Sequence, residues 1–226
     1  MNWSEVLTKD PIYFNLGGSN NCHPKVGYEN YISADINPPS EGWSVKQDLK
    51  KPIPLPDNSV TRILSEDFLE HIKAEEIKTL LVECFRLLKP GGMMRIGVPD
   101  YNNPKDYPYL KKGSDPRFPR HITLTNYKLM KKIIEESPFS RYEFYHYWDD
   151  GKFICKKIDY SFGVIKRTPD NDPRCRTTSL KQKIEVALKD FMYKLLRGFR
   201  VSEEDLLVRR GRRLHVTSLV VDLFKD

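Results

Sequence analysis

The sequence predicts an α/β fold, a mostly parallel β-sheet wrapped by helices, on three observations. Ile12 to Leu16, Tyr31 to Ile36, Val60 to Ser65 and Met93 to Val98 are short, nearly continuous apolar runs, the pattern of strands buried on both faces. Between the last two, Glu66 to Leu88 carries Phe68, Leu69, Ile72, Ile77, Leu80, Leu81, Phe85 and Leu88 at helical spacing. Alternating strands and helices imply parallel pairing, because each crossover helix must bury its apolar stripe against the sheet.

The elements follow in order. The first run ends in Gly17-Gly18, which lets the backbone approach a ligand and exposes amide donors at the carboxyl edge of the sheet. The second ends at Asp35. Leu55-Pro-Asp-Asn-Ser59 is a turn before the third run, and Pro90-Gly-Gly92 stops the helix. Asp100 to Pro119, rich in Pro, Tyr and Lys without periodicity, reads as a loop. Thr125 to Glu136 resumes as a helix with Leu129, Met130, Ile133 and Ile134 on one side. Arg141 to Trp148 and Val216 to Leu223 are strand-like. A hairpin is expected around Asp149-Asp-Gly151, a basic loop from Lys166 to Arg176, and a helix from about Leu180 to Leu196.

Bulk properties bound the function. The 226 residues, 39% hydrophobic, suffice for one domain with a real core. The first ten residues have no long apolar run and no basic flank, so neither a signal peptide nor a membrane anchor is read and a cytoplasmic protein is expected, with no membrane partner. Cys22, Cys84, Cys155 and Cys175 are far apart, without a C-x-x-C pair, and are expected as free thiols. The net charge of +7 lies in the C-terminal third, where residues 151 to 226 hold 18 Lys and Arg against 10 Asp and Glu. This stretch, with Arg209-Arg-Gly-Arg-Arg213, reads either as a solvated face or as an attractor of phosphates or nucleic acid.

Five blocks, Asn15-Leu-Gly-Gly-Ser19, Ala34-Asp-Ile36, Gln47-Asp-Leu49, Leu55-Pro-Asp-Asn-Ser59 and Leu88-Lys-Pro-Gly-Gly92, stand in an order and spacing that resemble the class I S-adenosylmethionine-dependent methyltransferases. The resemblance implies a Rossmann-like sheet of seven strands, the last antiparallel. It pairs Arg141 to Trp148 with Val216 to Leu223, giving a single domain with core 10–148 and 214–226. The basic insertion 149–213 is then either a lid for substrate recognition or an elaboration that only adds core. It also implies S-adenosyl-L-methionine as cofactor and S-adenosyl-L-homocysteine as product. Asn15, Leu16, Gly17 and Gly18 would cradle its carboxypropyl and ribose parts, Asp35 would accept from the ribose hydroxyls, and Ile36 beside it would also bind the cofactor. Asp48 and Leu49 would receive the adenine, Asp48 serving equally as a turn cap, and Ser65 and Glu66 would lie beside the methionyl group. The chain departs from many relatives in carrying Ser19 for a third glycine, and the absent G-x-G-x-x-G disfavours a dinucleotide. Asp159 to Arg167, Asp172-Pro-Arg174 and Thr217 to Asp222 resemble the C-terminal pattern of predicted bacterial and phage methyltransferases, often encoded beside glycan-biosynthesis genes.

Methyl transfer is an in-line displacement at a sulfonium, so a base is needed only where a hydroxyl acceptor must lose its proton. His71, Asp100 and His121 sit at strand ends or in the loops after them and are the candidates. His71 is read one turn into the helix, and His121 serves equally as a helix-entry residue. Asp67, Glu70 and His71 at i, i+3 and i+4, completed by His121, make a possible divalent-metal site. This D-x-x-E-H resembles the E-x-x-E-H metal motif of small-RNA 2′-O-methyltransferases and some ubiquinone-pathway O-methyltransferases, with Asp67 in place of Glu. The expectation is O-methylation of a small-molecule or glycan acceptor. The alternatives are a nucleic-acid (RNA) methyltransferase and a non-catalytic S-adenosylmethionine-binding protein. Against RNA, basic and aromatic residues do not interleave as a stacking platform requires.

Overall fold

The computed structural model describes residues 1–25, 27–39, 42–104, 106–163, 165, 180–196, 198 and 218–226. Contacts divide the chain into one unit of Met1–Val164 with Ser218–Asp226 and a second of Ile165–Thr217. The first is built on eight strands: β1 (Tyr13–Leu16), β2 (Tyr31–Asp35), β3 (Ser44–Lys46), β4 (Val60–Glu66), β5 (Leu88–Pro99), β6 (Arg141–Asp149), β7 (Lys152–Cys155) and β8 (Ser218–Phe224). Their order is β3-β2-β1-β4-β5-β8-β6-β7. The first five are parallel, and β8 runs antiparallel between β5 and β6.

The pairing of the Arg141 and Val216 segments thus holds, while the sheet gains an eighth strand beyond the seven expected. Its cause is local. Asp150 and Gly151 both take positive φ, 45° and 75°, the requirement of a two-residue hairpin turn, and β7 folds back on β6 as an edge strand.

Alternation of helix and strand is only partly realised. The first helix, α1 (Trp3–Leu7), precedes β1, and among the described residues β1, β2, β3 and β4 are joined by loops. Asn20 to Asn30 contains Pro24 and Gly27 and no helical apolar period, and its described residues form irregular chain pinned by the buried Tyr28. The β4 to β5 crossover carries α2 (Ala74–Leu87), which buries Ile77, Leu80, Leu81, Cys84 and Leu87. α3 (Tyr127–Glu135) packs against it, burying Met130, Ile133 and Ile134, with Asn126 capping its first turn by accepting from the Leu129 amide at 3.0 Å.

The helix expected from Glu66 starts eight residues later. Asp67 is left-handed at φ 54°, Leu69–His71 is one 3-10 turn, and Ile72 and Lys73 are extended. Tertiary bonds override the periodicity here. Thr123 donates its amide to the Glu70 carbonyl (3.0 Å) and its hydroxyl to the Ile72 carbonyl (2.6 Å), two acceptors that a continuous helix would have used. Leu69 and Ile72 still reach the core, which is why the apolar spacing looked helical.

The second unit holds α4 (Leu180–Leu196), at the bounds expected. The basic loop Lys166 to Arg176, Asp172-Pro-Arg174, Cys175 and Arg209 to Arg213 lie outside the described residues. No described helix is long and apolar enough to cross a membrane, and Cys22, Cys84 and Cys155 are free thiols.

Candidate functional site

The order β3-β2-β1-β4-β5 reverses direction between β1 and β4, and open α/β sheets bind ligands beyond the carboxyl ends of their strands at such a switch point. Register aligns these ends: Leu16 pairs with both Ala34 and Ser65, and Asp35 with Lys46. Asn15, Gly17, Gly18, Asp35, Ile36, Asp48 and Glu66 are therefore gathered along one edge.

The Gly17 turn needs glycine on two counts. Its φ is +66°, and a Cβ would stand 2.5 Å from the Phe68 ring. At Gly18 a Cβ would meet the Asn15 amide at the same distance, and Asn15 donates to the Asn21 carbonyl at 2.9 Å, holding the loop back on β1. The Asp35 carboxylate accepts from the Ser19 amide (3.3 Å) and the Asn37 amide (2.9 Å), joining the first loop to the second. Ile36 beside it is 54% exposed, an apolar surface that a ligand ring can cover. Asp48 accepts from the Lys50 amide at 3.1 Å, a turn cap, and its side chain remains 27% exposed. Leu16, Leu49 and Ser65 are different: their side chains are buried, Leu16 and Leu49 in the core cluster. Glu66 accepts from the Tyr28 hydroxyl at 3.1 Å. Burial, then the neighbouring Glu66, drives that phenol well above its ordinary range.

The segment after β4 carries the second group. Glu70 is completely buried, and its Oε1 lies 4.0 Å from His71 Nε2 and 3.9 Å from His121 Nε2. The three ligand-capable atoms lie within 4.8 Å of one another. Thr123 zips the two segments together, His71 Nδ1 meets the Arg120 carbonyl at 2.9 Å, and His121 Nδ1 meets the Tyr101 hydroxyl. Phe118 stacks on the His121 ring at 5.0 Å, and Arg117 clamps Asp106 and Asp115 to hold that loop. Asp67 does not join the cluster. Placed outside any helix by its left-handed backbone, it lacks the shared face that the D-x-x-E-H spacing supposed.

Asp100 is engaged elsewhere. Its carboxylate accepts from the Trp148 amide (2.6 Å) and the Asn102 amide (3.0 Å), tying the end of β5 to β6. Burial raises this carboxyl to about 6 against the pull of those two amides. Tyr28, Phe68, Tyr101 and Thr123 shape the site without any local sequence signal, because each acts through a partner distant in the chain.

Residues 24–96 match the family model of the methyltransferase domain. No curated protein matches the chain. Among solved structures, the chain is similar to an S-adenosylmethionine-dependent methyltransferase from Archaeoglobus fulgidus, 17% identical over 98% of this chain and 89% of that one, with a TM-score of 0.51. It is also similar to phosphoethanolamine N-methyltransferase 2 of Haemonchus contortus, in complex with S-adenosyl-L-methionine, at 12% identity, 98% coverage of this chain and a TM-score of 0.50; the chain spans 52% of that protein. Sheet order and switch-point loops define a Rossmann-like α/β fold, and the part of it from residue 24 to 96 matches the methyltransferase domain. The fold is that of the class I S-adenosylmethionine-dependent methyltransferases, as the sequence motifs implied.

Proposed function

We propose that the protein transfers the methyl group of S-adenosylmethionine to a hydroxyl oxygen of a small polar or glycan-type acceptor. The observation that supports it is the juxtaposition, after β1, β2, β3 and β4, of a glycine turn, the Asp35 and Asp48 carboxylates, the exposed Ile36 and the Glu70–His71–His121 cluster.

These residues fit the cofactor. Asp35 presents a carboxylate to vicinal hydroxyls, Ile36 offers an apolar face to a purine, and Asp48 is exposed enough to accept from an exocyclic amine. Glu66, oriented by Tyr28, favours a cationic ligand end. Bound S-adenosylmethionine supplies a methyl group on a positively charged sulfur. The carbon–sulfur bond breaks as the carbon–oxygen bond forms, and the acceptor hydroxyl gives up its proton. The Glu70–His71–His121 cluster is the feature that lowers the cost of that loss, and His71, with its side chain 36% exposed, opens it to water that carries the proton away. Asp100, a third candidate on sequence, spends its carboxylate on the Trp148 and Asn102 amides and ties the end of β5 to β6. The basic stretch 149–213 serves acceptor recognition, and the reaction takes place in the cytoplasm.

The test is incubation with methyl-labelled S-adenosylmethionine and panels of sugars, oligosaccharides, amines and RNA. Label on a hydroxyl of a sugar-like acceptor is expected. Label confined to amines or RNA would refute the reading, and cofactor binding without turnover on any panel would leave a binding protein.

A further inference from the structure

We infer that α4 docks the protein on an anionic phospholipid membrane. The 17 residues of this helix include Ile184, Leu188, Phe191, Met192, Leu195 and Leu196, each half exposed or more. The first five recur at i, i+4, i+7, i+8 and i+11, which lays them along one stripe of the helix, and Leu196 follows Met192 one turn on. Single leucines scattered over a surface are ordinary. A contiguous stripe of this size is unfavourable in water until something covers it.

Charge selects the cover. The unit that contains α4, Ile165–Thr217, holds 14 Lys and Arg against 7 Asp and Glu, whereas the rest of the chain holds 24 of each. The whole net charge of +7 therefore belongs to the unit with the exposed stripe. A second copy of the chain would cover the apolar residues only by bringing +7 against +7. RNA would answer the charge but offers no apolar phase to leucine and isoleucine. An anionic bilayer supplies both, acyl chains at the headgroup boundary for the stripe and phosphates for Lys and Arg. Such a helix lies along the surface without crossing it, in keeping with no described helix being long and apolar enough to span a membrane. It has an apolar stripe without a long apolar run, which is why no membrane partner was expected from the sequence. Docking does not rest on the methyl-transfer reading; where that reading holds, it brings the protein to acceptors displayed at a membrane surface.

The test is co-sedimentation of the full chain with vesicles of phosphatidylcholine alone and of phosphatidylcholine with about one-third phosphatidylglycerol. The protein should bind the anionic vesicles and not the neutral ones, and about 0.5 M sodium chloride should weaken that binding. The double substitution Leu188→Asn with Leu195→Asn replaces exposed side chains, so the variant should melt as the wild type does while its partition onto anionic vesicles falls about tenfold or more. Leu196→Asn, at the end of the helix, is the milder second variant and should lower partition in the same direction. Absence of binding to anionic vesicles, or binding indifferent to the leucine substitutions, overturns the inference. A dimer in light scattering that these substitutions dissociate, or binding of RNA in place of vesicles, overturns it in favour of those partners. Vesicle binding through α4 by a protein that ignores S-adenosylmethionine would refute the proposed function and leave the docking surface standing.

Discussion

Arg95 and Asp222 stand opposite each other across the antiparallel β5–β8 pair and are joined by two hydrogen bonds of 2.8 and 2.7 Å, with Arg95 0% and Asp222 1% exposed. Arg95 also donates to the carbonyls of Asp159 and Gly163, so one guanidinium fastens the chain following β7 to the centre of the sheet. Burial still pushes the Asp222 carboxyl up despite the pull of Arg95. Such a pair adds little net stability over apolar residues, yet breaking it strands a buried charge. Asp222→Asn should therefore cost about 3–5 kcal/mol in chemical denaturation, whereas the double replacement Arg95→Met with Asp222→Leu should recover most of that loss.

Gly17 and Phe68 form a second coupled pair. Gly17→Ala combines a left-handed backbone with a Cβ 2.5 Å from the ring, and should destabilise the fold by roughly 2–4 kcal/mol. Adding Phe68→Ala should relieve the steric part and leave the backbone strain, giving a stabilising coupling of about 1 kcal/mol or more in a double-mutant cycle. Strict additivity would contradict the contact.

Asp100 predicts a pH signature. Its carboxyl lies at about 6 in the folded chain against 3.8 for the ordinary group, so the folded state holds the proton over a range where the unfolded state has lost it. Stability from this group is fully present below about pH 4 and is lost as pH rises to about 6, by roughly 3 kcal/mol. Denaturation across this window should show that slope, and Asp100→Asn should flatten it. Carbon-detected NMR of the Asp100 carboxyl should find its midpoint near 6.

How much was legible in the sequence follows from which contacts are local. Strand runs such as Tyr31 to Asp35 declared themselves because both faces are buried, and the Asp150-Gly151 hairpin because its turn needs positive φ. The three-residue β3 and five-residue α1 were too short to give a period. Glu66 to Lys73 read as helix because Leu69 and Ile72 keep the apolar spacing, while Thr123, about fifty residues on, takes the carbonyls that a helix needs. At the site, Gly17, Asp35 and Asp48 were visible as strand-end motifs. Glu70, His71 and His121 were read from the sequence as one set, but the burial of Glu70, the place of Asp67 outside the cluster and the bonds of Asp100 to the Trp148 and Asn102 amides depend on long-range folding.

The central claim is that the carboxyl edge of β1, β2 and β4 holds S-adenosylmethionine. Calorimetric titration of wild type and Asp35→Ala with S-adenosylmethionine and S-adenosylhomocysteine tests it most directly. The account predicts binding by wild type that the substitution weakens tenfold or more, about 1.4 kcal/mol. Folded wild-type protein that binds neither compound, or an Asp35→Ala variant that binds as tightly as wild type, would contradict it.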